Sequence, residues 1–153
     1  MRYWLEYIPF IAIATIIHLL PRDAALALGR QLGTLARHLV PRRARIADDN
    51  LRHAFPEMPD AEREELVKQV YREMGHGFIE MLRLDKYKGK DDIEKFFPSD
   101  GLKHIRDALE LGRGCISLTG HVGYWEAGNF VVPTLGIPHG VVAKPMKNPL
   151  VDR

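Results

Sequence analysis

Apolar and polar positions follow three successive rhythms along the chain, and each predicts a different kind of element. Tyr7 to Leu20 runs without a formal charge. Next, Leu28, Leu32, Leu35 and Leu39 recur at spacings of four, three and four, the stripe of an amphipathic helix. Asp23 is placed to cap this helix and Pro41 to end it; the stripe reads as core contact. Pro56 and Pro59 mark a break, after which Asp60 opens a longer helix with Glu62, Glu64 and Glu65 near its positive end. Leu66, Val70, Met74, Phe78 and Leu82 form its apolar face. Residues 85–100 are charge-rich, broken by Gly and Pro, and predict a connector.

Beyond the connector the rhythm changes again. Gly101 to Leu111 predicts a helix ended by Gly112. Cys115–Thr119 predicts a short strand, Val122–Val132 a helix ended by Pro133, and Gly140–Lys144 a second strand. Strand, helix and strand at this spacing predict a right-handed βαβ unit. The expected fold class is therefore α/β: N-terminal membrane-associated helices, then the start of a mostly parallel sheet flanked by helices. The expected division is an anchor helix over 1–22 and a domain over 23–153. That domain is helical over 23–84, a connector over 85–100 and an α/β unit over 101–153.

The apolar N-terminus admits three readings: a cleaved signal peptide, a buried core helix, or a helix embedded in or barely crossing a bilayer leaflet. A full span needs about 20 apolar residues, and Arg22-Asp23 interrupts the approach to any cleavage site near Ala25-Leu26-Ala27. The embedded helix is preferred because a basic cluster comes after it. Arg37, His38, Arg42, Arg43 and Arg45 can meet anionic headgroups, each charge contributing on the order of 1 kcal/mol. Residues 1–50 hold seven Arg against four acidic residues, and this bias directs the following chain to the cytoplasm.

Composition changes this picture little. The 46% apolar and 27% charged residues are those of a globular protein, and the net charge of +2 singles out no nucleic-acid partner. One cysteine, Cys115, excludes an internal disulfide framework. His76 and Glu80 are four apart, but no second pair stands at ligand spacing, so no metal site is expected. No glycine-rich phosphate loop occurs.

Candidate chemistry gathers in Ser117-Leu-Thr-Gly-His121-Val-Gly-Tyr-Trp-Glu126. His121 would stand just past the carboxyl end of the first predicted strand, where ligands gather in open α/β sheets. Residues five apart in one helix are rotated by roughly 140° and do not face each other. His121 and Glu126 can therefore cooperate only with His121 on the turn and Glu126 in the first turns of the helix. An imidazole held by a carboxylate can take a proton from a hydroxyl. An ordinary turn carrying two ionisable residues is the other reading of the same pattern.

This stretch resembles the His-x4-Asp/Glu motif of glycerolipid-type acyltransferases. More narrowly, it resembles the bacterial lipid A biosynthesis (lauroyl/myristoyl) acyltransferase family. Asn50-Leu51…Ala54-Phe55-Pro56-Glu57, Gly77–Arg83 and Lys147–Asp152 have counterparts there in order, as does the apolar N-terminus. The resemblance implies O-acyl transfer from acyl-carrier protein or acyl-CoA to a hydroxyl of a membrane glycolipid, a lipid A precursor, at the cytoplasmic face of the inner membrane. It implies His121 as general base and Glu126 as its orienting partner, without metal, cofactor or covalent acyl-enzyme. Gly123 would leave room for substrate, Trp125 would wall the acyl pocket or simply pack, and Lys144 would meet phosphate or solvent. Tyr124 stands where the family commonly carries Asn and would adjust the substrate contacts. The family pattern continues past Asp152-Arg153 with an arginine-containing motif, so the chain is expected to be an N-terminal part, an incomplete acyltransferase domain.

Rival classes arise from the same residues. One is a non-catalytic truncated membrane protein that keeps the fold. Another is an acyltransferase acting on lysophospholipid, an aminolipid or a mannoside. A serine hydrolase built on Ser117 lacks the GxSxG elbow that would expose its nucleophile.

Overall fold

The computed structural model describes residues 2–120 and 122–151, which form two compact units. Residues 19–80 make one; residues 1–18 together with 81–153 make the other. The helices, in chain order, are α1 (Arg2–Leu19), α2 (Arg22–Leu39), α3 (Pro41–Ala54), α4 (Asp60–Leu82), α5 (Gly89–Phe96), α6 (Leu102–Glu110) and α7 (Ala127–Thr134). Among the described residues there is no strand and no sheet.

The unit of residues 19–80 is built on an antiparallel contact between α2 and α4. It is made by glycines. A Cβ added at Gly33 would stand 2.0 Å from the Tyr71 carbonyl oxygen, and one at Gly75 would stand 2.1 Å from the Gly29 carbonyl oxygen. Backbone therefore meets backbone, as where small residues recur every fourth position in closely packed helices. Ala25, Leu26, Val67 and Ile79 complete the buried core of this unit. Pro41 begins α3 at its first turn, where its missing N–H costs nothing. Arg63, buried on α4, then ties the elements by donating to Asp48 of α3 at 2.6 Å and to Asp60 at 2.8 Å. Arg22 donates to the buried carboxylate of Glu80, closing the far end of the α2–α4 pair.

Two expectations for this unit change. Asp23 makes no side-chain cap, and α2 starts two residues earlier than that cap would put it, at Arg22 after Pro21. The stripe Leu28, Leu32, Leu35 and Leu39 is exposed, because the glycine face of α2, not the leucine face, meets α4.

The other unit has a small core of Ile17, Tyr87, Ile93, Val131 and Ile137. Tyr87 packs against Phe96 and Phe97 with ring centroids 5.1 Å apart. The Arg83 guanidinium donates to the Ile17 carbonyl oxygen at 2.6 Å, and His18 Nε2 lies 2.8 Å from Asp85 Oδ1. The buried Asn148 amide donates to the Tyr3 carbonyl oxygen at 3.0 Å and to Glu6 at 3.2 Å, clasping the Lys147–Leu150 stretch to the first turns of α1.

The α/β expectation is overturned here. Cys115–Thr119, between α6 and α7, and Gly140–Lys144, after α7, have no regular structure. A strand exists only by pairing with another about 4.8 Å away. Among the described residues no backbone hydrogen bond engages either segment. Ile116 and Leu118 are each 98% exposed, so neither the ladder nor the buried face that defines a strand has formed. The helix between them is also displaced: α7 begins at Ala127, five residues later than the apolar pattern predicts, and continues through Pro133 to Thr134.

Candidate active site

The histidine-containing stretch lies between α6 and α7. α6 carries the strongest separation of apolar and polar faces in the chain, turning Leu102 and Ile105 to one side. With Gly128, Val131 and Val132 on α7 and Cys115–Leu118 between the helices, these residues line an open cleft of about 680 Å³. That volume lies within the range of small-molecule sites, and its walls are mostly apolar.

The backbone leaves the cleft through Gly120, where the Val122 amide donates to the Gly120 carbonyl oxygen at 2.9 Å. Gly123 follows with φ +57, the left-handed region that glycine occupies without strain. No atom stands within 4 Å of where its Cβ would be, so the turn alone accounts for a glycine there. A series of turn hydrogen bonds, Ala127 to Tyr124, Gly128 to Trp125 and Asn129 to Glu126, then winds the chain into α7.

Glu126 occupies the N-cap position of α7, half-buried and making no side-chain cap bond. It stands at the positive end of the helix dipole. The spacing argument puts Glu126 within the first turns of a helix from Val122; it stands instead one position before the first residue of α7. His121, the proposed base, lies outside the described residues. Tyr124 is half-buried and Trp125 half-exposed; Trp125 is not among the described residues lining the cleft. Lys144 is exposed in the irregular segment after α7. Among the described residues no group of three His, Cys, Asp or Glu side chains is placed to hold a metal ion.

The comparisons with known proteins cover the chain from end to end. It matches the family described as bacterial lipid A biosynthesis acyltransferase over residues 1–153. The chain belongs to that family. It is 32% identical over 153 residues to a lipid A biosynthesis lauroyltransferase of Escherichia coli, covering 99% of this chain and 48% of the relative. A palmitoleoyltransferase of the same organism is 27% identical over 151 residues, with the same coverage. A lipid A biosynthesis acyltransferase of Haemophilus influenzae is 33% identical over 156 residues, again with 48% of the relative covered. The chain thus spans about half the length of the curated relatives it matches. No solved structure matches it significantly.

Sequence reasoning missed two residues that shape these units. Asn148 clasps chain segments 142 or more positions apart, which no local pattern announces. Gly75 opposes Gly29 and Gly33 at backbone distance. The four-residue spacing of Gly29 and Gly33 is a readable signal for such a contact.

Proposed function

We propose that the protein is a membrane-associated O-acyltransferase that moves a fatty acyl chain from a thioester donor, acyl-carrier protein or acyl-CoA, to a hydroxyl of a lipid A precursor. The observation that carries this reading is the family match across the whole chain, within which His121 and Glu126 hold their five-residue spacing. His121 takes the proton of the acceptor hydroxyl as its oxygen attacks the thioester carbonyl. Glu126 orients the imidazole and stabilises its positive charge. The tetrahedral adduct collapses, the carbon–sulfur bond breaks, and the departing thiolate receives the proton. The new ester stays on the glycolipid. The apolar cleft between α6 and α7 is the place offered for the acyl chain, and Lys144 for an acceptor phosphate.

The same reading places the protein at the cytoplasmic face of the inner membrane. Among the described residues no helix is long and apolar enough to cross a membrane. α1, at 18 residues, presents Trp4, Leu5, Ile8, Ile13, Ile16 and Leu19 to its surroundings, and this supports a helix lying within one leaflet.

The test is transfer of a labelled acyl chain to a lipid A precursor, in protein that includes any coding sequence in frame beyond Arg153. His121→Ala is expected to lower the rate by about 10²–10⁴-fold, and Glu126→Gln to lower it less, mainly in kcat. Transfer that survives His121→Ala sinks the assignment.

A further inference from the structure

The unit of residues 19–80 carries a second apolar surface that neither its core nor the acyl-transfer reading uses. Leu28, Leu32, Leu35 and Leu39 on α2 are exposed, the last at 70%, and so are Val70, Met74 and Phe78 on α4, with Met74 at 63%. The glycine contact determines where the two rows lie. At 100° per residue, the leucine row stands about 110° from the Gly29–Gly33 line on α2. The Val70–Met74–Phe78 row stands about 80° from the Tyr71–Gly75 line on α4, in the same rotational sense. In an antiparallel pair, equal sense puts both rows on one side of the two-helix layer. The result is one continuous face of seven large apolar side chains. Between Leu66 and Phe78, the charged residues of α4, namely Lys68, Arg72 and Glu73, fall in other sectors of the helix.

Charge decides what covers this face. Directly after Leu39 and Val40 come Arg42, Arg43 and Arg45, all exposed in the first turns of α3. None of the three pairs with a carboxylate among the described residues. They stand near the positive end of a helix, which disfavours cations unless an anion outside the chain compensates. An apolar face edged by unpaired arginines is complementary to a bilayer whose acyl layer lies beneath anionic headgroups.

We infer that the α2–α4 face of residues 28–39 and 70–78 rests on an anionic lipid surface, with Arg42, Arg43 and Arg45 in its headgroups. This contact belongs to the unit of residues 19–80 alone and does not rest on α1 or on the acyl-transfer reading. It gives the protein a broad, in-plane attachment, distinct from a single embedded helix.

Single-cysteine variants Leu32→Cys, Leu35→Cys and Met74→Cys, made in the full chain with Cys115→Ser and labelled with an environment-sensitive nitrobenzoxadiazole dye, test it. On adding phosphatidylethanolamine–phosphatidylglycerol vesicles, emission at all three positions shifts to the blue and is quenched by brominated acyl chains. Labels at Glu65→Cys and Arg72→Cys, on the far side of α4, stay in water. Replacing Arg42, Arg43 or Arg45 by Gln lowers partitioning onto these vesicles about fivefold per arginine, with little effect on phosphatidylcholine vesicles. Emission that is already blue without lipid and indifferent to the lipid-borne quencher means that a second copy or another part of the protein covers the face, and overturns the inference. Emission that remains unshifted with vesicles overturns it as well. A label at Ile13→Cys reports α1 separately, so a lipid-exposed 13 beside a water-exposed 32 leaves the anchor standing and removes the second contact. All substitutions lie at exposed or half-exposed positions, and the far-ultraviolet circular dichroism of each variant checks that its helices are intact.

Discussion

Glycine carries two opposite meanings in this chain, and the difference lies in what surrounds the missing side chain. At Gly75 a methyl group would collide with the carbonyl oxygen of Gly29, a backbone atom that cannot rotate away. At Gly128, inside α7, nothing stands within 4 Å of the same position. Gly75→Ala is therefore expected to destabilise the α2–α4 pair by about 3 kcal/mol, at the upper end of overpacking costs. Gly128→Ala is expected to be neutral or to stabilise by up to about 1 kcal/mol, through helix propensity alone. Thermal unfolding followed by circular dichroism separates the two; equal melting temperatures would show that backbone proximity does not hold the pair. The sequence offers both residues as helix-interior glycines and cannot rank them, because the rank depends on an opposing helix more than 40 positions away. Glu126 is a boundary case. The apolar pattern puts it inside a helix from Val122, whereas it stands at the N-cap, one position before α7 begins.

Among the elements, those whose boundaries are written by local chemistry were the legible ones. Asp60 opens α4, Pro41 separates α2 from α3, and Gly112 follows α6, each where the sequence puts a cap or a breaker. The two predicted strands did not form, because a strand depends on partners that local patterning cannot supply. The leucine stripe of α2 was legible as a helix face but not as an exposed one. What joins α3 to α4 was not legible either, for it is an ion pair between Asp48 and Arg63. The hydrogen bond from the Arg63 guanidinium holds the Asp48 carboxyl below the usual carboxylate range, against the opposing effect of burial. A depressed folded value means that ionised Asp48 stabilises the fold above the ordinary aspartate value of about 3.9. That contribution is lost as the pH falls through the lower folded value. Between pH 5 and pH 3 the melting temperature of the native chain should consequently fall more than that of Asp48→Asn. Parallel declines in the two proteins would mean that the pair does not couple α3 to α4.

For the whole molecule, order is unevenly distributed. α2 and α4 bury backbone against backbone, while 115–119 and 140–144 make no backbone hydrogen bonds among the described residues. Amide hydrogen exchange is expected to divide accordingly, with the α2–α4 amides near Gly29, Gly33 and Gly75 protected longest and those of 115–119 and 140–144 exchanging first. Strong protection at 116–118 would contradict the absence of pairing there. Family membership was legible because it resides in motifs read in order along the chain, and it needed no tertiary information. The architecture around the motif was less so, since it depends on contacts between distant residues.

The clasp between Asn148 and the first turns of α1 has a consequence for the way the chain acquires its shape. The unit it closes is discontinuous, and residues 19–80 are strung between its two halves. A nascent chain leaves the ribosome from its N-terminus, at about 5–20 residues per second. The helices of 19–80, whose contacts are short in sequence, can assemble while the rest is still being made. α1 must wait through the synthesis of more than a hundred further residues before Asn148 arrives to hold it. Arg83, Tyr87 and Ile93 reach the Ile17 end of α1 earlier, but its first turns lack this clasp throughout the interval, and that is the period in which a nearby lipid surface competes most effectively for them.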